Sequence, residues 1–226
     1  VVNTHTGFKL NDNNSTTNPT TNATLTLDTV KIINPKDEAG SVIDNEFGVI
    51  NLKDVLVEGE DINSILNNGD MNLSGNNTLN TNVLNSGTIN LNDGELSLGT
   101  NGMLISNDNS NFIVNGGALN LQNNAISNTN LGNLTLNNNL NLKLDANLAK
   151  ETIDTIDANN VTINNNSKIN VNSIKILEPT SKSKLSLLFT NNKDIANATN
   201  YTGEKTITYS PIYKYETSYK VDDDKG

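Results

Sequence analysis

The amino-acid sequence predicts an all-β protein, a parallel β-helix with three short strands in each coil of about 22 residues. Two observations carry this prediction. Apolar residues occur as short pairs alternating with polar ones, between turns rich in asparagine and glycine, which is typical of half-buried strands. From residue 88 to residue 144 these pairs recur at a fixed period, since Leu91 to Val114 is 23 residues and Val114 to Leu136 is 22.

The same period links other apolar positions of the chain. Steps of 21 to 23 residues join Leu52 to Leu73, Leu98 to Leu121, Leu121 to Leu144 and Leu104 to Ile126. Self-similarity of this length marks a solenoid, in which each repeat buries its apolar face only by stacking on its neighbours. We therefore expect these residues to lie one above another, coil upon coil.

The composition is polar for a folded protein. Hydrophobic residues make up 34% of the chain and aromatic residues 4%, and the mean hydropathy is -0.44. Such values suit a disordered chain, which cannot bury enough apolar surface to fold. The strict alternation of Leu, Ile and Val with Asn, Thr and Ser argues against disorder, and a solenoid needs only a thin apolar column.

Asparagine is the most overrepresented residue, with 47 copies in 226 residues, many of them in the turns between strands. Asparagine tolerates left-handed backbone and bonds to its own main chain, so it suits tight turns. In turns stacked coil on coil, its amides can also form ladders that bond to each other. Codon drift is the alternative, because all 15 basic residues are lysine and arginine is absent.

Charge and cysteine content exclude several classes of protein. The net charge of -10 argues against nucleic-acid binding, which needs a basic surface, and against charge-driven adhesion to anionic membranes. The absence of cysteine excludes a disulfide scaffold and suits a chain that crosses an oxidising compartment unfolded. The sequence contains no run of 18 apolar residues, so no membrane-spanning helix is predicted. We expect the chain to be a segment of a longer protein.

Taken in order, the chain divides into three parts. Residues 1–40 are predicted to form an irregular edge at the start of the solenoid, 41–178 the β-helix, and 179–226 a C-terminal cap or a junction to a following domain. Alternating apolar residues predict strands at 7–10, 24–34, 42–43, 49–52, 55–57, 62–66, 161–163, 169–176 and 185–189, with loops at 179–184 and 191–203.

Three features interrupt or punctuate the repeat. A unit of asparagine, glycine and a short strand recurs at 68–73, 85–91 and 115–121, where glycine supplies an unrestricted turn. At 146–157, Leu148, Ile153 and Ile156 predict a short helical turn or a bulge on the solenoid. Four of the five tyrosines fall within 206–219, a composition that suits a strand pair covering a solenoid end.

The acidic residues are the candidates for chemistry, and each is better explained as a solvated turn carboxylate. A hydrolase needs two carboxylates about 5–9.5 Å apart, and the sequence offers the close pairs Asp154 with Asp157 and Asp145 with Glu151. The remaining candidates are Asp54, Glu58, Glu60 and Asp61 for a cation, Asp222, Asp223 and Asp224 as a charged tail, and the lone His5. We predict no catalytic, cofactor-binding or metal-binding residues.

Two parts of the sequence resemble the distal passenger region of autotransporters, the type V secreted proteins: LDANLA at 144–149 followed by TIDTI at 152–156, and the tyrosine-rich SPIYKY at 210–215. The asparagine-glycine-strand units resemble the β-helical repeats of the same passengers and of related bacterial surface adhesins. The resemblance covers residues 42–219. It implies a right-handed parallel β-helix on the cell surface, attached to the outer membrane through a region outside this chain.

The expected function is that of a non-enzymatic adhesin, stalk or spacer displayed outside a bacterial cell. Its partners would be glycans or proteins of host or bacterial surfaces, or other copies of itself, and no cofactor is expected. One alternative is a β-helical polysaccharide lyase or hydrolase, or a tailspike-like depolymerase, although the absence of arginine rules out an arginine base. A lesser alternative is a self-assembling surface filament. The tyrosines offer platforms for sugar rings, but a role in the cap or core is favoured.

Overall fold

The computed structural model describes residues 2–3, 8–10, 23–33, 41–58, 64–100 and 102–221, and its strands form three long sheets and one short hairpin. The described residues wind through seven coils, each of which adds one strand to each long sheet. A final strand then extends the third sheet. The predicted parallel β-helix with three strands per coil is therefore confirmed.

Strand β1 (Val2–Asn3) precedes the first coil. The strands of the first four coils are β2 (Phe8–Leu10), β3 (Thr24–Asp28), β4 (Lys31–Ile33), β5 (Ile43–Asn45), β6 (Val49–Lys53), β7 (Leu56–Glu58), β8 (Ser64–Asn67), β9 (Asp70–Ser74), β10 (Asn76–Asn80), β11 (Asn82–Asn85), β12 (Thr88–Leu91) and β13 (Glu95–Leu98).

The later elements are β14 (Leu104–Ser106), β15 (Asn111–Val114), β16 (Ala118–Asn120), β17 (Asn128–Asn130), β18 (Asn133–Leu136), β19 (Leu140–Asn147), β20 (Thr152–Ile153), β21 (Thr155–Asp157), β22 (Asn160–Ile163), β23 (Ile169–Glu178), the helix α1 (Lys193–Ala198), β24 (Thr199–Tyr201), β25 (Thr206–Ser210) and β26 (Tyr213–Glu216).

The order of strands within each sheet shows the coil-on-coil stacking. The first sheet has the order β2-β5-β8-β11-β14-β17-β21, and the second has β3-β6-β9-β12-β15-β18-β22. The third sheet has the order β1-β4-β7-β10-β13-β16-β19-β23-β24. Neighbours in these orders pair in parallel, so each coil lies directly on the one before it.

The register confirms most of the predicted equivalences. Leu52 lies beside Leu73, and Leu91 lies beside both Leu73 and Val114. Steps between paired residues of the second sheet are 25, 21, 18, 23, 22 and 27 residues, close to the predicted period of about 22. The predicted equivalence of Leu104 with Ile126 is wrong, because the corner before β17 is longer and Ile105 pairs with Asn130 instead.

The core is a thin apolar column enclosed by the three sheets. Alternate residues of each strand point inward, as the period of two requires. The inward positions of the second sheet from β6 to β18 are at most 1% exposed: Ile50, Leu52, Met71, Leu73, Ile89, Leu91, Phe112, Val114, Leu134 and Leu136. Full burial of one such side chain contributes roughly 1.5–3 kcal/mol, so the column stabilises the fold even though the composition is polar.

Glycine columns allow the coils to approach each other closely at the corners. Between the first and second sheets, a Cβ on Gly69 would lie 2.2 Å from the carbonyl oxygen of Gly48, and one on Gly87 would lie 2.1 Å from that of Gly69. These corners therefore exclude any side chain. The recurring unit at 115–121 lies at a different corner from the other two, since Gly117 stacks over Gly94 at the corner leading into the third sheet.

A ladder of buried asparagines runs beside the first glycine column. Asn45, Asn67 and Asn85 end successive strands of the first sheet and are at most 1% exposed. The amide Nδ2 of Asn45 donates to Oδ1 of Asn67 at 2.8 Å, and Nδ2 of Asn67 donates to Oδ1 of Asn85 at 2.8 Å. At this corner the predicted amide ladder is confirmed, and it supplies partners for polar groups that burial would otherwise penalise.

The third sheet widens at its C-terminal end. Strands β19 and β23 are 8 and 10 residues long, and β20 pairs antiparallel with the end of β19. The predicted bulge at 146–157 is thus present, but it is a β-hairpin rather than a helical turn, and Leu148 and Ile153 are buried within it. The longer strands need cover on the face that carries Leu140 and Leu142, because Leu144 and Ala146 lie on this same face and are also buried.

The segments that follow β23 differ from the secondary structure predicted from the sequence in two places. Residues 185–189, predicted as a strand, do not form one, although Phe189 is buried and its carbonyl accepts from Ile156 N–H. The predicted loop at 191–203 contains α1 and β24. Asn192 caps α1 by accepting from the backbone of Asp194 and Ile195, a local signal that favours a helix start.

The tyrosine-rich strand pair predicted at 206–219 is present as the antiparallel hairpin of β25 and β26. The rings of Tyr213 and Tyr215 stack with centroids 6.3 Å apart, and Tyr209 meets Tyr213 edge-on at 6.5 Å. No backbone ladder joins this hairpin to the three long sheets within the described residues. Side chains therefore attach it to the solenoid.

Candidate functional site

The structure pairs the acidic candidates differently from the sequence analysis. Asp145 lies with Asp154, whereas the sequence suggested Asp154 with Asp157 and Asp145 with Glu151. Asp157 ends β21 and is half-buried. Glu151 lies in the turn before β20 and forms an ion pair with Lys182. Neither of the two predicted pairs is therefore formed as a joint site.

Both carboxylates of the observed pair are fully buried, at 0% exposure, and they accept mainly from the backbone. Oδ2 of Asp154 accepts from the N–H of Asp145 at 2.6 Å. Its Oδ1 accepts from the N–H of Ser127 at 2.8 Å and from the Ser127 hydroxyl at 3.1 Å. Oδ2 of Asp145 accepts from the N–H of Asn124 at 2.7 Å, which joins both carboxylates to the corner at 123–127.

Burial governs the electrostatics of this pair. It raises the pKa of Asp154 from 3.8 to about 6, against the hydrogen bonds from Asp145 and Ser127 that favour the charged form. Burial also raises the pKa of Asp145, against the N–H of Asn124 and the positive charge of Lys175. The neighbouring negative charge adds to the shift at Asp154. One of the two acids therefore carries a proton in mildly acidic solution.

The pair is enclosed, which limits its chemistry. A polymeric substrate cannot contact either carboxylate, because each is covered by the corner at 123–127 on one side and by the β19–β20 hairpin on the other. Oδ1 of Asp145 has no hydrogen-bond partner among the described residues. The arrangement can hold the widened coil together and bind a proton, and both roles are structural.

The other acidic candidates are dispersed. Asp54 accepts from the N–H of Asn76 one coil above, and Glu58 forms an ion pair with Lys31 at 2.8 Å. Glu60, Asp61, His5 and Asp222–224 lie outside the described residues. Within the described part of the chain, no three His, Cys, Asp or Glu side chains lie close enough to hold a metal ion. No described helix is long and apolar enough to cross a membrane.

Amide ladders cover the outer face of the second sheet and its far corner. On the face, Asn90 donates to Asn72 at 2.9 Å and Asn72 donates to Asn51 at 2.8 Å. At the corner the same donation links a second series at 2.8–2.9 Å: Asn115 to Asn92, Asn137 to Asn115, and Asn164 to Asn137. Each link in these series joins one amide N–H to the amide oxygen of the neighbouring asparagine. The second N–H and the second lone pair of each amide remain available to solvent or a ligand.

The outer face of the third sheet carries one charged cluster. Glu95 accepts from Lys143 at 2.5 Å, from Asn120 at 2.7 Å and from the Ser97 hydroxyl at 2.9 Å. Although burial opposes it, these hydrogen bonds hold the pKa of Glu95 below its ordinary value. The cluster ties three successive coils together, and its groups are already satisfied.

The first sheet carries a row of apolar residues on its outer face, whereas the outward apolar residues of the other two sheets, such as Ile113 and Leu56, are isolated. Leu66, Leu84 and Ile105 are in register on successive coils, and Ile105 is 47% exposed. Met103, just before β14, is 49% exposed. An outward apolar row of this kind is the type of surface that contacts other proteins.

A cavity of about 810 Å³ lies between the widened third sheet and the tyrosine-rich hairpin. Its floor includes Leu144 and Ile174 from β19 and β23, and its sides include Leu187 and Ile207. Its size is in the range of pockets that enclose small molecules. We call it the hairpin cavity.

Sequence reasoning missed both the acidic pair and the hairpin cavity. In an antiparallel hairpin, each step back along one strand is matched by a step forward along the other. A turn at 148–151 therefore pairs Ala146 with Ile153, as observed, and places Asp145 opposite Asp154. Recognising that turn would have revealed the pair. The cavity depends on how distant segments pack, and no local pattern indicates it.

Comparison with known proteins adds no relative. No protein-family model, no curated protein and no solved structure matches this chain. The fold and its surfaces are therefore the basis for any functional conclusion.

Proposed function

We propose that this chain is a non-enzymatic segment of a bacterial surface protein of the autotransporter passenger type, acting outside the cell as an adhesin, stalk or spacer. The observation that carries the proposal is the coil-on-coil ladder of parallel strands and amides. Each coil repeats the contacts of the one before, so added coils give length and lateral surface without requiring a new core.

Physical properties of the chain support display outside the cell. A solenoid can fold by adding coils to an existing end, which suits a chain that emerges gradually from a pore. The 226 residues contain no cysteine, so no disulfide forms during passage through an oxidising compartment. The net charge of -10 favours solubility at the surface.

The surfaces also suggest what an adhesin would contact. The outward row of Leu66, Leu84 and Ile105 fits an apolar strip on a host or bacterial surface protein, whereas the free amide groups of the second sheet fit glycan hydroxyls. A polysaccharide lyase or hydrolase would need carboxylates open to a groove. The acidic pair of Asp145 and Asp154 is instead enclosed, and we do not favour that alternative.

Removal of whole coils tests the proposal. Because Asp70 lies beside Thr88, deletion of residues 70–87 removes one complete coil and keeps the remaining coils in phase. We expect this variant to retain protease resistance and to shorten the displayed segment by about 4.8 Å. Deletion of residues 79–87, about half a coil, should abolish protease resistance because every later strand would enter the wrong sheet.

Two further measurements decide location and activity. Antibodies against the chain should label intact cells that make the full-length protein, and labelling only after permeabilisation would overturn the display proposal. Purified protein should leave the viscosity of a panel of bacterial polysaccharides unchanged. A progressive loss of viscosity would favour the depolymerase alternative instead.

A further inference from the structure

The hairpin cavity has apolar walls whose side chains are only partly covered. Ile174, Leu185, Leu187, Ile207 and Tyr215 line it and are half-buried, unlike the fully buried column inside the solenoid. Leaving this much aliphatic surface open to water is unfavourable, and an inserted apolar chain would remove it from water. The cavity is therefore better suited to an aliphatic ligand than to water alone.

The tyrosine hydroxyls do not point to a sugar. Tyr215 donates to the carbonyl of Thr180 and accepts from its N–H, both at 2.9 Å. Tyr201 donates to the carbonyl of Glu204 and Tyr219 to that of Ala196, at 2.8 and 2.7 Å. A sugar needs several free donors and acceptors that converge on it, and three of the four tyrosine hydroxyls lining the cavity are already engaged within the protein, all but that of Tyr213.

The charges lining the cavity are mainly positive, contrary to the net charge of the chain. Lys182, Lys184 and Lys214 line it together with one acid, Glu216, whereas the whole chain has a net charge of -10. Lys182 is paired with Glu151. Lys184 and Lys214 form no ion pair with any described residue, so two cationic groups are available to an anion at the edge of the cavity.

We propose that the hairpin cavity binds a long-chain fatty acid, with the hydrocarbon chain among the aliphatic walls and the carboxylate near Lys184 and Lys214. The volume of about 810 Å³ accommodates one such chain. The hairpin of β25 and β26 forms one side of the site, and the Tyr215 hydroxyl holds it in place through Thr180. This binding site is independent of the proposed role in display.

The test is titration of the whole chain with cis-parinaric acid, a fluorescent fatty acid, followed by displacement with palmitate. We expect saturable binding of one molecule per chain. The double variant Lys184→Ala, Lys214→Ala should weaken palmitate binding about tenfold, because two exposed charge pairs are lost, while leaving palmitate methyl ester unchanged. The control variant Lys205→Ala, Lys220→Ala removes two lysines that do not line the cavity and should bind as the wild type does.

Three results would overturn the proposal. They are a lack of saturable binding, equal palmitate affinity in the Lys184→Ala, Lys214→Ala variant and the wild type, and equal affinity for palmitate and dodecyltrimethylammonium. A fourth experiment distinguishes a free fatty acid from a membrane lipid as the ligand. It measures whether the protein floats with phosphatidylglycerol vesicles and whether palmitate competes with them. Flotation that palmitate does not compete would show that the lysines recognise a lipid surface and would also reject the fatty-acid site. A circular dichroism melt of each variant confirms that it is folded.

Discussion

The regular coils at 64–120 and the C-terminal region at 140–221 bury their residues in different ways. In the regular coils each inward residue stacks on its equivalent one coil away, and glycine and asparagine columns repeat the same corner contacts. The C-terminal region has contacts that occur once: the acidic pair, the capped helix and the hairpin attached through tyrosines.

The difference has a physical reason. A stacked coil supplies the partner for the next coil, so one solution to burial can be used repeatedly. Among the described residues no complete coil follows β21–β23, and the widened β19 and β23 need a cover made from other elements. Loose packing follows at that cover, where the hairpin cavity lies, whereas the regular coils have a fully buried column.

The largest effect should come from breaking a corner of the regular coils with Gly94→Ala. Gly94 has φ of +68°, and a Cβ there would lie 2.0 Å from the carbonyl oxygen of Gly75. Strain and overlap together should lower the free energy of unfolding by about 4 kcal/mol, measured by urea denaturation. Ser86→Ala, at an exposed position of the same coil, should change it little. A loss below about 1 kcal/mol for Gly94→Ala would mean that these corners can reshape.

The second-largest loss of unfolding free energy should come from Asn67→Asp, in the buried asparagine ladder. This change removes the donor that binds Asn85 and places a carboxylate in a fully buried site, so we expect a loss of about 3 kcal/mol at neutral pH. Asn72→Asp makes the same change in the half-buried ladder on the second sheet and should cost about 0.5 kcal/mol. Equal losses at the two positions would show that burial does not set the strength of these ladders.

The acidic pair gives the C-terminal region a pH dependence that Asp154→Asn should reduce. Because burial raises the pKa of Asp154 to about 6, the folded state retains a proton that the unfolded state releases above 3.8. Its stabilising contribution is therefore complete below about pH 4 and is lost as the pH rises through 6. Between pH 4 and pH 7 the wild type should lose about 2 kcal/mol more unfolding free energy than Asp154→Asn does.

The control for this comparison is Asp157→Asn, on the strand that follows Asp154 and half-buried. It should keep the pH dependence of the wild type in the same denaturation series. Identical pH profiles for Asp154→Asn and the wild type would show that Asp154 does not bind the proton.

The smallest effect should come from Tyr215→Phe, which removes two hydrogen bonds to Thr180. We expect a loss of about 1 kcal/mol confined to the hairpin, seen as faster amide hydrogen exchange in β25 and β26 with no change in the regular coils. Tyr213→Phe is the matched control, since its hydroxyl has no partner among the described residues. Faster exchange throughout the solenoid would contradict the separation of the two regions.

The sequence predicted the regular coils well because alternation and period both report on the inner column. Leu52, Leu73, Leu91 and Val114 followed each other in register as expected. Corner lengths were less predictable, since a corner can gain residues without moving the column. This is why Ile126 was assigned to the wrong position.

The candidate site was much less predictable, because its contacts join segments that share no period. Asp145 and Asp154 meet through an unrecognised hairpin, and spacing alone suggested closer partners in sequence. The helix α1 was missed since six residues are too few to show helical periodicity, although its Asn192 cap was a visible signal.

The in-register stacking has a mechanical consequence. Tension applied between the two ends of the chain would load the ladder bonds of the outermost coil first, so the solenoid should peel one coil at a time rather than rupture as a whole. The coil steps along the second sheet, 18 to 27 residues, correspond to roughly 60–90 Å of released length each. A surface protein built in this way would extend under flow and dissipate force in small increments.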